Sequence, residues 1–387
     1  MSYLSSRRSL RVFVAFFLLF GAVITSWTVA TRSALAQAEY LLGIPDVFGM
    51  NVYDRQAVQT TFTNATGTSF RAPTTKTYSV KFKNGPAVDV TESSVYSHEG
   101  LPFVQLSQGN NLNLGVWTAT SSEYTGFMGW VVNLKEEWDD YRALMQDAGY
   151  DMVALDQDKN FIYYQVPDGS EFQGANNILL KLIDESDAPA AIQVNQTPSG
   201  LTYMDNVNNI AWSAVDPRAV ADQFQAVHGL PYNNDYRLDD SGIKCYNDDG
   251  TPNMTHVLPP NDPNHPTDHA NGVTRFDLYY VLTDTPGLDT QVQIEKNILH
   301  GTASNPVYPC DAVNTPTKSF HKLEWYTPII NGSSTIPPSY FAQQLTDAGM
   351  HRIFDVYAPG VPDQFFVTRW KGPGGLYFEV TNRLFKR

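Results

Sequence analysis

The stretch Asn209-Ile210-Ala211-Trp212-Ser213-Ala214-Val215-Asp216-Pro217, running on through Arg218–Val227 to His228-Gly229-Leu230-Pro231, sets the fold. Its apolar opening reads as a strand. Asp216 then suits a helix N-cap and Pro217 the first helical position, where a missing N–H costs nothing. Ala219, Val220, Phe224 and Val227 follow at helical spacing, and Gly229 stops the helix. The order is strand, helix, glycine stop.

The same order recurs along the chain. Phe127–Leu134 leads into Lys135–Ala148 and Gly149, and His321–Ile329 leads into Pro337–Ala348 and Gly349. Asp147-Ala148-Gly149 and Asp347-Ala348-Gly349 match letter for letter. A fourth, weaker copy starts with Val47–Asp54, with Arg55–Thr63 as its helix. Strand-like segments follow each copy, including Thr77–Phe82, Pro102–Leu106, Tyr150–Leu155, Phe161–Val166, Ile178–Ile183, Arg275–Leu282, His351–Tyr357, Gln364–Trp370 and Gly375–Thr381. The unit is therefore βαβββ. One unit cannot cover both faces of its own small sheet, so units must pair. The expected class is α+β, with four βαβββ units in two paired modules. These span residues 40–185 and 201–387, and a loop insertion is expected at about 232–272. The junction is expected in the aperiodic, Pro- and Gly-containing stretch Glu185–Gly200, and a second break from Gly287 to Thr317.

Composition supports a folded chain. Of 387 residues, 42% are hydrophobic and only 17% charged, with 21 Tyr, 21 Phe and 7 Trp, which excludes a disordered or coiled-coil protein. The net charge is −14, and the four arginines of residues 1–36 face no acid there, so the remainder is more acidic still. Such a surface repels phosphate backbones and anionic lipid, so no nucleic-acid partner is expected, and no membrane unless the leading segment stays as an anchor.

Residues 1–36 read as an address. Arg7, Arg8 and Arg11 precede an uncharged stretch from Val12 to Ala30, and Ala34-Leu35-Ala36 supplies an A-x-A cleavage site. The paired arginines fit twin-arginine export as well as the general route, and both stay open. An uncleaved anchor is the alternative, since the apolar run approaches the ~20 residues that span a bilayer. Every reading places the globular part in the periplasm or outside the cell. In such a compartment Cys245 and Cys310, the only two cysteines, are most simply a disulfide.

This arrangement resembles the vicinal oxygen chelate superfamily, which includes glyoxalases, bleomycin-resistance proteins and type I extradiol dioxygenases. The resemblance is carried by Asn209–Pro231 and by Gly372-Pro373-Gly374-Gly375-Leu376-Tyr377-Phe378-Glu379-Val380, where a glycine turn enters a last strand bearing glutamate. It implies that paired units curve around a cavity, where a divalent metal takes His from first strands and Glu from last strands. Carried over by residue, the C-terminal pair offers His321 and Glu379 as metal ligands and Asn209 where a second His is usual, with Tyr279 or Tyr280 as the last-strand residue of unit three. Aligning Trp325 with Trp212 would put Lys322 in place of His321. The N-terminal pair offers Val47, Gln105, Phe127 and Lys181, which cannot make a comparable metal site. Asn209, Tyr279 and Trp325 are the expected ligand-binding residues.

Two functions follow from the resemblance. One is an exported small-molecule binder with weak or no catalysis. The other is a metal-dependent extradiol-type dioxygenase or glyoxalase-like lyase or isomerase, with the metal as Lewis acid. Against a metal, His321 also reads as a half-buried strand histidine and Glu379 as a rim carboxylate paired with Arg383 or Arg369. The cluster His265-Pro266-Thr267-Asp268-His269 reads as a solvated loop, because Pro266 prevents helical presentation of both histidines. The segment Gly372–Gly375 lacks a following helix and reads as a hairpin turn.

Overall fold

The computed structural model describes residues 42–43, 45–98, 102–165, 178–188, 209–213, 217–229, 232–237, 242–247, 249–258, 276–281, 291–297, 300–302, 305–307, 319–327, 329–330, 334–335, 341–357 and 365–382. Residues 1–36, most of the expected junction, and the His265–His269 cluster lie outside the described residues. Among the described residues no helix is long and apolar enough to cross a membrane.

The first module contains β1 (Val47–Asn51), α1 (Arg55–Thr66), β2 (Thr74–Phe82), β3 (Ala87–Tyr96) and β4 (Phe103–Gly109). It continues with β5 (Thr125–Val132), α2 (Trp138–Asp147), β6 (Asp151–Asp156), β7 (Phe161–Gln165) and β8 (Ile178–Asp184). Those are two βαβββ units. In each, the first strand pairs in parallel with the last, β1 with β4 and β5 with β8, while β1 and β5 pair antiparallel between units. Antiparallel pairing of β2 with β6 joins the other two edges, giving a closed barrel of order β1-β4-β3-β2-β6-β7-β8-β5. Closure removes every free edge.

The second module repeats this pairing. Its third unit holds β9 (Asn209–Ser213), α3 (Pro217–His228), β10 (Tyr232–Arg237), β11 (Gly242–Tyr246), β12 (Pro252–Leu258), β13 (Phe276–Val281) and β14 (Gln291–Asn297). Two short strands, β15 (His300–Thr302) and β16 (Asn305–Val307), form a hairpin apart from it. The fourth unit holds β17 (Ser319–Thr327), the small pair β18 (Ile329–Ile330) and β19 (Ser334–Thr335), α4 (Ala342–Asp347), β20 (His351–Tyr357), β21 (Phe365–Lys371) and β22 (Tyr377–Asn382). Again first and last strands pair in parallel, β9 with β14 and β17 with β22, and the two first strands pair antiparallel. The described strands form one ten-stranded sheet of order β10-β13-β14-β9-β17-β22-β21-β20-β11-β12. β11 and β12 extend it past β20 instead of closing it against β10.

The repeat is visible in hydrogen bonds. After α2, the N–H of Ala148, Gly149 and Tyr150 donate to the carbonyls of Leu144, Gln146 and Met145, and after α4 those of Ala348, Gly349 and Met350 donate to Gln344, Thr346 and Leu345. Gly149 (φ 83) and Gly349 (φ 80) take the left-handed conformation that this helix ending requires. The shared Asp-Ala-Gly triplet is thus the same C-terminal closure built twice. At the other end of α1, the Asp54 carboxylate accepts the N–H of Ala57 at 2.9 Å as an N-cap.

Three expectations change. The region read as a loop insertion at about 232–272 carries β10, a strand of the unit's own sheet, and the added β11–β12 hairpin. The last strand of unit three is β14, inside the stretch read as a break, so Tyr279 lies one strand further out on β13. The polar sequence Gln291-Val-Gln-Ile-Glu-Lys-Asn lacks the apolar run by which the other last strands are recognised. The strand β3 went unread because its buried face carries Glu92 and Ser94 between Val90 and Tyr96, which breaks the apolar alternation.

The two modules meet through α1, β22 and the turn before it. Phe62 packs edge-on against Phe378 with centroids 5.1 Å apart. Gln344 Nε2 donates to the Ala65 carbonyl at 2.8 Å, and the Gly374 N–H donates to the Ser121 carbonyl at 3.0 Å. Gly375 cannot be larger, because a Cβ there would sit 2.2 Å from the Ser122 carbonyl oxygen.

Candidate ligand site of the second module

The glycine turn expected at Gly372–Gly375 is a hairpin connection, with Gly374 left-handed (φ 70) and the Gly372 N–H donating to the Leu376 carbonyl at 2.7 Å. It fixes the register of β21 on β22, so that Arg369 stands opposite Glu379. Both side chains are buried, at 3% and 4% exposure. Arg369 Nε and Nη2 donate to Glu379 Oε2 at 2.8 and 2.6 Å, and the Thr381 hydroxyl reaches Oε1 at 3.4 Å. The guanidinium also lies 4.7 Å from the ring centroid of Phe354. A buried carboxylate needs such compensation, and here a neighbouring arginine supplies it.

Register continues the row. Glu379 stands opposite Glu324 of β17, Glu324 opposite Asn209 of β9, and Asn209 opposite Gln291 of β14. The level therefore reads Gln291, Asn209, Glu324, Glu379, Arg369 across five adjacent strands. His321 falls in a bulge between Phe320 and Lys322, three residues back along β17. Trp325 stands opposite Val380, and Tyr279 opposite Ile294 and Asn234. The side chains of Asn209, Tyr279, His321, Glu324 and Trp325 lie outside the described residues.

A second buried polar group adjoins this row. Asp355 accepts the Tyr246 hydroxyl at 2.5 Å and Arg352 Nε at 2.9 Å, and it forms an ion pair with Arg352 Nη2 at 2.6 Å. Burial raises the Asp355 carboxyl above the usual carboxylate range, against the lowering pull of Arg352 and these hydrogen bonds. The Trp370 indole N–H donates to the Thr368 hydroxyl at 2.9 Å.

First strands paired antiparallel at the centre and flanked by their own last strands, twice over, answer the resemblance. This is the paired βαβββ arrangement that the resemblance to the vicinal oxygen chelate superfamily implies. Among solved structures it is similar to a triple mutant of 4-hydroxymandelate synthase from Streptomyces coelicolor, at 10% identity over 89% of this chain and 94% of that one, with a TM-score of 0.44. It is also similar to a catechol 2,3-dioxygenase, at 10% identity over 88% of each chain with a TM-score of 0.41. A third similar structure is glyoxalase I from Zea mays, at 10% identity over 88% and 92% with a TM-score of 0.25. No protein-family model matches the chain, and no curated protein matches it in sequence.

A metal of the extradiol type needs two imidazoles and one carboxylate around one point. The row places Asn209 and Glu324 on the two first strands, and Arg369 holds the carboxylate of Glu379. Among the described residues no three His, Cys, Asp or Glu side chains are arranged to hold a metal. The residues of this row do not fit a two-histidine site. The sequence reading missed Glu324 and the depth of the Arg369 pair. The pair was available by counting outward from the glycine turn.

The barrel of the first module has its own buried polar set. Glu92 Oε2 accepts Trp117 Nε1 at 2.7 Å and its Oε1 accepts the Ser107 hydroxyl at 3.2 Å. Gln105 Nε2 donates to Ser107 Oγ at 2.9 Å, and Asn51 Nδ2 donates to the Val116 carbonyl at 2.6 Å. Lys181 places its ammonium 5.0 Å from the ring centroids of Phe127, Phe161 and Tyr163. Val47, Gln105, Phe127 and Lys181 are all buried in this module. Polar side chains are thus present inside both modules.

Proposed function

We propose that this chain is an exported vicinal oxygen chelate-fold protein that encloses a small organic molecule in its second module, with weak or no catalysis. The observation that supports this most is the Arg369 pair: two N–H groups engage Glu379 at the last-strand position where the resemblance implies a metal ligand. Amide and carboxylate residues at the facing register positions, Asn209 and Glu324, offer acceptors and donors for an organic ligand. Trp325 and Tyr279 are proposed to supply stacking surface. Export rests on the signal-like residues 1–36, and the mature chain is proposed to start near Gln37, outside the cytoplasm.

The experiment is metal analysis of the purified mature protein beside its Asn209→His variant. No stoichiometric transition metal in either supports the binding reading. Stoichiometric Fe or Zn in the unaltered protein would establish the dioxygenase or lyase reading instead, with His321 and Glu379 as ligands.

Cys245 is buried, and Cys310, the other cysteine, lies outside the described residues. We propose that the two are joined. Cys245 lies on β11, so the bond would tie the added hairpin to a later connection. A thiol titration in denaturant without reductant is expected to find no free thiol, and two would refute the pairing. Closing a loop of this length is expected to contribute ~3–4 kcal/mol, less any strain.

A further inference from the structure

Where the barrel meets α3, the last residue of that helix is sealed between aromatic rings. The imidazole of His228 stacks on the indole of Trp130 from β5, with centroids 4.5 Å apart and planes at 22°, and lies 3.7 Å from the ring centroid of Phe224. The residue is 2% exposed, and among the described residues neither ring nitrogen has a hydrogen-bond partner. Gly43 joins the two sides: its N–H donates to the His228 carbonyl at 3.1 Å and its carbonyl accepts Trp130 Nε1 at 3.1 Å. These contacts tie the barrel to the second module.

We propose that the His228, Trp130 and Gly43 seam is an acid-sensitive latch between the two modules, closed while His228 is neutral and released when it takes a proton. A cation at a helix C-terminus is normally favourable, because the last carbonyls point toward it. Here the aromatic sandwich excludes the water that would solvate that cation, and burial holds protonation well below the ordinary histidine range. Attraction between an imidazolium and the Trp130 face is a smaller effect than stripping an ion of water.

Arg218 and Asp222 on α3 are exposed, and Asp46, on the segment leading to β1, accepts the Val131 N–H at 2.8 Å. α3 packs on β13 and β14, which carry Asp277, Glu295 and Lys296, whose side chains lie outside the described residues.

The sign follows from linkage. Above about pH 6.5 neither the closed nor the open seam binds the proton, so the latch does not respond. Below it the open seam takes up a proton that the closed seam refuses, so opening rises by up to about tenfold per pH unit. Hydrogen exchange of the full mature protein at pH 7.5 and 5.0, corrected for intrinsic rates, tests this on peptides covering residues 42–46 and 217–229. Opening is expected to rise by up to about 30-fold in the unaltered protein, while barrel strands β3 and β4 hold their protection. In His228→Phe, which keeps the stacking and removes the titration, the rise should vanish. His228→Leu serves if the phenylalanine variant does not fold. An equal acid response in the titration-free variant, or none in the unaltered protein, would overturn the proposal.

Discussion

Glu379→Ala is expected to destabilise the second module by about 3–5 kcal/mol, because it leaves the Arg369 guanidinium buried at 3% exposure without its carboxylate. Arg369→Ala should cost a similar amount by taking from buried Glu379 its guanidinium. The pair together should cost far less than the sum of the two changes. Replacing both by hydrophobic residues of similar volume, Arg369→Met with Glu379→Leu, is expected to recover most of the stability, since well-packed apolar residues often match a buried ion pair. Urea unfolding of the unaltered protein, the two single alanine variants and their double variant, with circular dichroism as the readout, gives the coupling energy directly. Were Glu379 chiefly a metal ligand, its loss would lower metal content and leave Arg369→Ala nearly silent in stability. Additive costs would mean that the two side chains do not support one another.

How much of this was legible depended on which force left a mark in the sequence. Helix endings were plain, because Gly149, Gly229 and Gly349 each need a positive φ and each closes a helix with buried apolar residues. The paired βαβββ architecture followed from those endings and from the apolar first strands. Two strands were not plain: β3 hides its alternation behind the buried polar residues Glu92 and Ser94, and β14 begins at Gln291 in a segment with no apolar run. Glu92 is tolerated inside because Ser107 and Trp117 satisfy it, and partners far apart in sequence cannot be read from local pattern.

The level at which candidate residues meet across the sheet was hidden for a related reason. Counting back from a helix cap assumes an unbroken strand, whereas the bulge at Phe320/Lys322 shifts every position before it. The register that brings Glu324, not His321, level with Asn209 and Glu379 therefore exists only in the sheet. By contrast, Arg369 and Glu379 flank a tight turn at equal distance, so their pairing needs only the hairpin.

Trp117 marks the other centre of gravity of the molecule, and Trp117→Ala is expected to unfold the barrel at ordinary temperature. The side chain is fully buried, yet it comes from a connection, the single 3-10 turn Gly115–Trp117 between β4 and β5. Gly115 (φ 52) turns the chain inward where a Cβ would meet Phe82 Cε1 at 2.1 Å, and Gly109 leaves room for the indole, since a Cβ there would lie 2.8 Å from Trp117 Cγ. Inside, the ring packs edge-on against Phe82, Phe161 and Tyr163 at 6.4, 6.1 and 6.2 Å. Truncation to alanine removes that packing, at about 3–5 kcal/mol. It also withdraws the donor held 2.7 Å from buried Glu92, which adds about 1–3 kcal/mol for an under-satisfied carboxylate. The sum is comparable to the whole stability of an ordinary domain. Trp117→Phe separates the two effects, since it keeps most of the ring contact and loses only the N–H. Its cost should be about 1–3 kcal/mol and should shrink when Glu92 is also replaced by Met, an uncharged side chain of similar length. A Trp117→Phe cost that stays the same beside Glu92→Met, measured by urea unfolding of the barrel, would show that shape alone holds the indole in place and that the hydrogen bond to Glu92 adds nothing.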